Sequence, residues 1–203
     1  MPTGTDNFNR ANGAMGGSTF SDGVNTWTQA VAAWNINTNV AEASTNDGAS
    51  IYTSTSGLMT DGTATVKVNV SNRECGVWWR FNPVSTGTGY VAFAHDTAIY
   101  LFRYDPGFTN LGSAVITPAN NMVLGITVTG TTIEATLDGV TKVSVTDSTY
   151  TSGYTGLYAN AAPGGSECYF EDFTFTGTAA SSSIAAPAVG SKLFSGLSRG
   201  LIR

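Results

Sequence analysis

The sequence predicts an all-β protein in which two antiparallel sheets face each other as a jelly-roll sandwich. Three observations carry that expectation: apolar and polar residues alternate with period two along the body, amphipathic helical periodicity is almost absent, and turn chemistry recurs at short intervals. The alternation is plainest in Thr63–Val70 (TATVKVNV), where Val66, Val68 and Val70 are expected inside and Thr65, Lys67 and Asn69 outside. Further strands are expected over Gly76–Asn82, Gly89–Ala94, Ala98–Tyr104, Val123–Thr129, Thr132–Leu137, Thr141–Val145 and Cys168–Thr176, with weaker ones at Asp6–Phe8, Trp34–Ile36 and Ala49–Thr53. Asp61-Gly62 opens one strand, Asp138-Gly139 closes a tight hairpin, and Pro106-Gly107 and Pro163-Gly164-Gly165 mark loops. Roughly eleven to fourteen strands without crossover helices are accommodated most simply as two stacked antiparallel sheets.

Composition narrows the class. Charged residues make up 11% of the 203 positions, against about a quarter in an ordinary domain. Gly, Thr, Ser, Asn and Ala take their place on the surface, as in extracellular or virion proteins packed among neighbours. The net charge is −5, and the body has no clustered basic face, so nucleic acid is not an expected partner. No stretch reaches the roughly 20 apolar residues of a membrane span. Met1 to Arg10 lacks the apolar core of a signal peptide, so the expectation is synthesis in a host cytoplasm, or a leader already removed. Cys75 and Cys168 stand far apart in sequence; two thiols are the favoured reading, with pairing left open.

The pattern fails after Gly177, dividing the chain into a sandwich over 1–177 and an extended arm over 178–203. Residues 178–190 have the composition of a linker. Residues 181–203 carry Lys192, Arg199 and Arg203 with no acid, whereas residues 1–180 carry six cations and fourteen anions. Leu193, Phe194, Leu197, Leu201 and Ile202 lie among those cations, and the expectation is that this basic, apolar arm docks on a neighbouring surface.

Two segments resemble a known family. Asp6-Asn7-Phe8-Asn9-Arg10, followed by Trp27 and Trp34, resembles the opening D-x-F-x-R strand of concanavalin A-like sandwich modules. The stretch Val128–Ile133, Leu137-Asp138-Gly139, Val145-Thr146-Asp147, Gly153-Tyr154-Thr155-Gly156-Leu157 and Glu171-Asp172-Phe173 looks like the laminin-G or glucanase-like pattern. The resemblance covers nearly all of residues 5–177 and implies that the final x-D-F strand lies beside the first. It specifies fold and leaves activity open, because lectins, glucanases, adhesion modules and virion proteins share this sandwich. Gly153 and Gly156 are expected at positions of positive φ or close backbone approach.

Catalytic machinery is not expected. A retaining glucanase needs two carboxylates about 5–5.5 Å apart, and no E-x-D-x-E run exists. Glu171 and Asp172 are adjacent and should point to opposite faces; Glu134 stands alone on its strand. His95-Asp96 reads as a turn rather than a dyad, and no nucleophile, phosphate-loop or zinc motif is present. Asn46-Asp47, Asp96 and Asp105 could supply oxygen ligands to calcium, but loop Asx residues usually make turns; no metal or other cofactor is expected.

The densest aromatic region remains: Trp78-Trp79-Arg80-Phe81, Tyr90, Tyr100, Phe102 and Tyr104. Strict alternation puts Trp79 and Phe81 in the core, and Trp78 and Arg80 on the other face. Trp78, Arg80, Tyr100, Phe102 and Tyr104 would then line a concave sheet surface, suited to packing on another subunit or to stacking on sugar rings. The leading expectation is a non-catalytic virion protein, a bacteriophage head decoration or cement subunit. The arm would fasten it to major capsid protein or to neighbouring decoration subunits, as a homo-oligomer. The alternative is a carbohydrate-binding adhesin module of a tail fibre or cell surface, and the third reading is a glucanase-like hydrolase.

Overall fold

Alternating side chains give each strand one apolar edge, and the chain buries those edges between two layers. The computed structural model describes residues 1–43, 49–69, 73–83, 87–105, 107–160 and 168–181. Val70, Asn46-Asp47, Pro163-Gly164-Gly165 and every arm residue from Lys192 to Arg203 lie outside the described residues. The described strands are β1 (Thr3–Asp6), β2 (Gly13–Ala14), β3 (Trp27–Val31), β4 (Trp34–Asn37), β5 (Val40–Ala43), β6 (Ala49–Thr53), β7 (Met59–Val68) and β8 (Glu74–Asn82). They continue with β9 (Thr88–His95), β10 (Ala98–Asp105), β11 (Gly107–Val115), β12 (Met122–Thr129), β13 (Thr132–Leu137), β14 (Val140–Thr146), β15 (Tyr154–Asn160) and β16 (Phe170–Ala179).

All pairings are antiparallel, and no described residue is helical. One sheet runs β14-β13-β12-β7-β16-β5-β4-β2, with β1 also on β16; the other runs β11-β10-β9-β8-β15-β6-β3. Between them lies a continuous core that includes Trp27, Trp34, Val66, Val68, Trp79, Leu101, Leu124, Ile126, Leu157, Phe170 and Phe173. Val66 and Val68 face inward as expected, while Thr65 and Lys67 are part-exposed.

The D-x-F-x-R segment forms a buried anchor. The Asp6 carboxylate is fully buried and accepts both guanidinium nitrogens of Arg10, at 2.7 and 3.0 Å, and the Trp27 indole N–H at 2.6 Å. Charge-assisted bonds of this kind offset the cost of removing a carboxylate from water. β1 ends at Asp6, and Phe8, at φ 55°, turns the chain inward instead of continuing the strand. Asp6 pairs with Phe173, so the final strand does lie beside the first. Asp138 and Gly139 both have positive φ (51° and 76°), the type I′ geometry expected of that dipeptide.

One expectation is corrected and one is met in the second of its two forms. Cys75, on β8, and Cys168, just before β16, form a disulfide that joins the two sheets across 93 residues of sequence. Both cysteines are buried, with Cα atoms 5.4 Å apart, a separation a disulfide accommodates. Gly153 and Gly156 do not have positive φ; they are sites of close approach. A Cβ on Gly153 would lie 2.2 Å from the Arg80 carbonyl carbon, and one on Gly156 would lie 2.0 Å from the Ile51 carbonyl oxygen.

Candidate functional site

The outward face of the seven-stranded sheet carries a second hydrophobic cluster. Trp78, Phe81, Val91, Phe93 and Tyr158 form its floor, with Tyr52, Tyr100, Phe102 and Tyr104 packed against them. Register explains the grouping: Phe102 pairs with Val91, Val91 with Trp78, Trp78 with Gly156 and Gly156 with Tyr52. One row away, Tyr100, Phe93, Gly76 and Tyr158 are likewise opposite one another.

Phe108 shows that this face is strongly bent. It lies on β11 and Tyr158 on β15, four strand spacings away, or about 19 Å on a flat sheet. Their ring centroids are 5.9 Å apart. The tip of the β10–β11 hairpin therefore folds over the face, with Phe108 4.6 Å from Tyr104 and 5.7 Å from Phe102. This roof accounts for the burial of Trp78, which is only 2% exposed although it points away from the main core. Its indole N–H donates to Ser50 Oγ at 3.2 Å. Rings open to a ligand are Phe108, which is exposed, and the part-exposed Tyr52, Tyr100, Phe102, Tyr104 and Tyr154.

Arg80 is not on this surface. It adopts φ 52° within a bulge that shifts the β8–β9 register between Trp79 and Asn82, and a bulge interrupts period-two alternation. Its buried side chain donates to the carbonyls of Thr60 (2.9 Å), Tyr150 (2.7 Å) and Gly130 (2.8 Å), and to Asp61 (3.1 Å). Phe81 therefore lands beside Trp78, with ring centroids 4.9 Å apart, instead of entering the core with Trp79. Of the five residues read from sequence, Tyr100, Phe102 and Tyr104 line the accessible surface, Trp78 is its buried floor, and Arg80 is a clamp elsewhere.

A polar network fixes the hairpin that carries Tyr104 and Phe108. Arg103 donates to Asp105 (2.8 Å) and Asp147 (2.6 Å), Tyr90 donates to Asp147 (2.6 Å), and the Tyr150 hydroxyl bonds Asp105 and lies 3.1 Å from the Tyr104 carbonyl. Burial opposes ionisation of Asp147, yet donors from Tyr90, Thr149 and Arg103 outweigh it and hold its pKa down at about 2. Burial and the adjoining carboxylates push Tyr90 and Tyr150 up to about 12. Asp105, a candidate calcium ligand from sequence, is committed to this network.

At the opposite end of the aromatic rows, Glu74 Oε2 accepts the Tyr158 hydroxyl at 2.9 Å and the Asn160 amide at 3.0 Å. Burial, with Glu74 beside it, raises the Tyr158 pKa far above the tyrosine range, so that hydroxyl stays a donor. Sequence reading missed Glu74, Asn160, Phe108, Tyr52 and Tyr154; apolar residues spaced by two on β15 were the available signal.

Glu171 and Asp172 do not diverge as adjacent strand residues should. Asp172 has φ 47° at a bulge and bonds Lys67, the residue opposite Glu171. Both sit on the nine-stranded sheet, remote from the aromatic face. Asp96, at φ 52°, occupies the two-residue turn between His95 and Ala98. Among the described residues, no three His, Cys, Asp or Glu side chains come together as a metal site.

The sequence matches no family model and no curated protein. Solved structures do match it. A carbohydrate-binding module, CBM66 from Bacillus subtilis, superposes with a TM-score of 0.59 at 15% identity, over 72% of this chain and 91% of that one. The fold is the concanavalin A-like, galectin-like jelly roll. The Emp47p carbohydrate recognition domain gives 0.57 at 9% identity, over 87% and 95% of the two chains. The VIP36 exoplasmic/lumenal domain, in its Ca2+/Man3GlcNAc-bound form, gives 0.56 at 10% identity, over 85% and 91%. Two of these neighbours are a carbohydrate-binding module and a carbohydrate recognition domain, the third is bound to Man3GlcNAc, and at these identities the likeness shows the fold they share with this chain.

Proposed function

We propose that the protein is a non-catalytic carbohydrate-binding module that stacks sugar rings on the bent aromatic face of its seven-stranded sheet. The observation that carries this reading is the second aromatic cluster outside the core, with part-exposed Tyr100, Phe102 and Tyr104 and exposed Phe108 along its rim. A surface maintained only for solubility would not concentrate rings that expose both an apolar face and, in tyrosine, a hydroxyl. The buried disulfide fits display in oxidising surroundings, such as a tail fibre or cell surface.

A glycan array, followed by titration of the best ligand, tests the proposal. Tyr100→Ala and Phe102→Ala should each weaken saturable binding by roughly five- to thirty-fold, the equivalent of about 1–2 kcal/mol, without lowering the melting temperature by more than a few degrees. Saturable binding untouched by both substitutions would place the ligand elsewhere and sink the reading.

A further inference from the structure

The aromatic rows end in a polar row. Cys75 pairs with Ala94, which puts Glu74 beside His95 in register, and Asn160 pairs with Glu74 on the other side. His95, Glu74 and Asn160 are all part-exposed, and they lie one row from Tyr100, Phe93 and Tyr158. Glu74 Oε2 takes both protein donors, from Tyr158 and Asn160, so the carboxylate is held in place. Its Oε1 has no hydrogen-bond partner among the described residues, nor does the His95 imidazole. Glu74 is the one charged side chain in the described rows that β8, β9 and β15 present to this face, since Arg80 is withdrawn into its clamp.

Resting on the sugar-binding reading, we infer that Glu74, fixed by Tyr158 and Asn160, is a specificity-determining residue that admits neutral and amino sugars and rejects acidic ones. A carboxylate accepts hydrogen bonds but cannot donate them. It therefore matches ligand hydroxyl and ammonium groups. A uronate or sialate carboxylate in the same place meets like charge at short range, in a site partly shielded from water by aromatic rings. The Asn160 amide donates to Glu74 and also bonds the Tyr158 hydroxyl, so all three groups brace one another.

The test compares three β-linked probes at low ionic strength: a glucose oligomer, its glucosamine counterpart and its uronate counterpart. The glucose and glucosamine probes should bind the intact protein at least roughly ten-fold more tightly than the uronate. Glu74→Gln retains an acceptor for Tyr158 and Asn160, and should close that gap to within about two-fold while the melting temperature stays near that of the parent. Equal affinity for the uronate, or a gap that Glu74→Gln leaves unchanged, overturns the inference while leaving the stacking surface intact. Failure of all three probes to bind overturns the sugar-binding reading together with this one.

Discussion

The two outward sheet faces are made by the same strand geometry and are chemically opposite. On the nine-stranded sheet, β1, β16, β7 and β12 bring threonines into register: Thr3 with Thr176, Thr176 with Thr63, and Thr63 with Thr127 in one row, and Thr5, Thr174 and Thr65 in the next. Hydroxyls pair across strands, Thr63 with Thr127 at 3.0 Å and Thr65 with Thr174 at 2.8 Å. Here the outward positions are β-branched and polar, and water covers the face. On the seven-stranded sheet the corresponding positions hold Trp78, Phe93, Phe102 and Tyr158, and a curled hairpin covers much of the face. Alternation thus decides which way a side chain points, while residue type decides whether that direction ends in solvent or in a second core.

The largest effect that could break this contrast is Trp78→Ala. If the outward indole is a true second core, its loss should cost about 3–5 kcal/mol in denaturant unfolding, as for an interior tryptophan. A cost below about 1 kcal/mol would mean that the hairpin roof does not close over it. Acid should expose the roof's fastening next. The folded-state pKa of Asp147 is depressed from 3.8 to about 2, so its contribution is fully present above the unfolded value and disappears as pH falls through the folded one. Asp105, lowered by its bonds to Tyr150 and Arg103, acts in the same direction. Stability followed by tryptophan fluorescence should fall by about 2 kcal/mol from Asp147 alone between roughly pH 5 and pH 1, and Asp147→Asn should flatten that part of the profile. The smallest effect belongs to the other face: Thr65→Val should change stability by no more than about 1 kcal/mol, the scale of one cross-strand pair. A larger loss would show that the threonine rows do more than meet water.

Much of this architecture is legible in the chain, and the gaps have physical causes. Thr63–Val68, Val123–Thr129 and Thr132–Leu137 alternate cleanly because one side of each is buried and the other wet. The segment GVWWRFN is apolar on both sides; period two places Trp79 in the main core and Trp78 outside it, but fails beyond them, where Phe81 joins Trp78 and Arg80 is withdrawn. The bulge at Arg80 is hidden for a second reason: a positive φ on a non-glycine residue is imposed by tertiary bonds, here to Thr60, Gly130 and Tyr150, that no local pattern encodes. β11 was missed because its residues, FTNLGSAV after Gly107, form a largely exposed edge with little contrast between sides. The cysteine pair escaped because their 93-residue separation gives no local signal, and only β8 lying opposite the start of β16 brings them together.

That covalent link also sets how the protein carries load. Tension applied beyond Ala179 would begin to unzip β16 from its free end toward Phe170, breaking ladder bonds one at a time. The peeling front would arrest at Cys168, whose sulfur passes the force directly into β8, the strand bearing Glu74 and Trp78. Force entering along β16 thus reaches the strand beneath the aromatic face through a covalent bond, which does not fray as a hydrogen-bond ladder does.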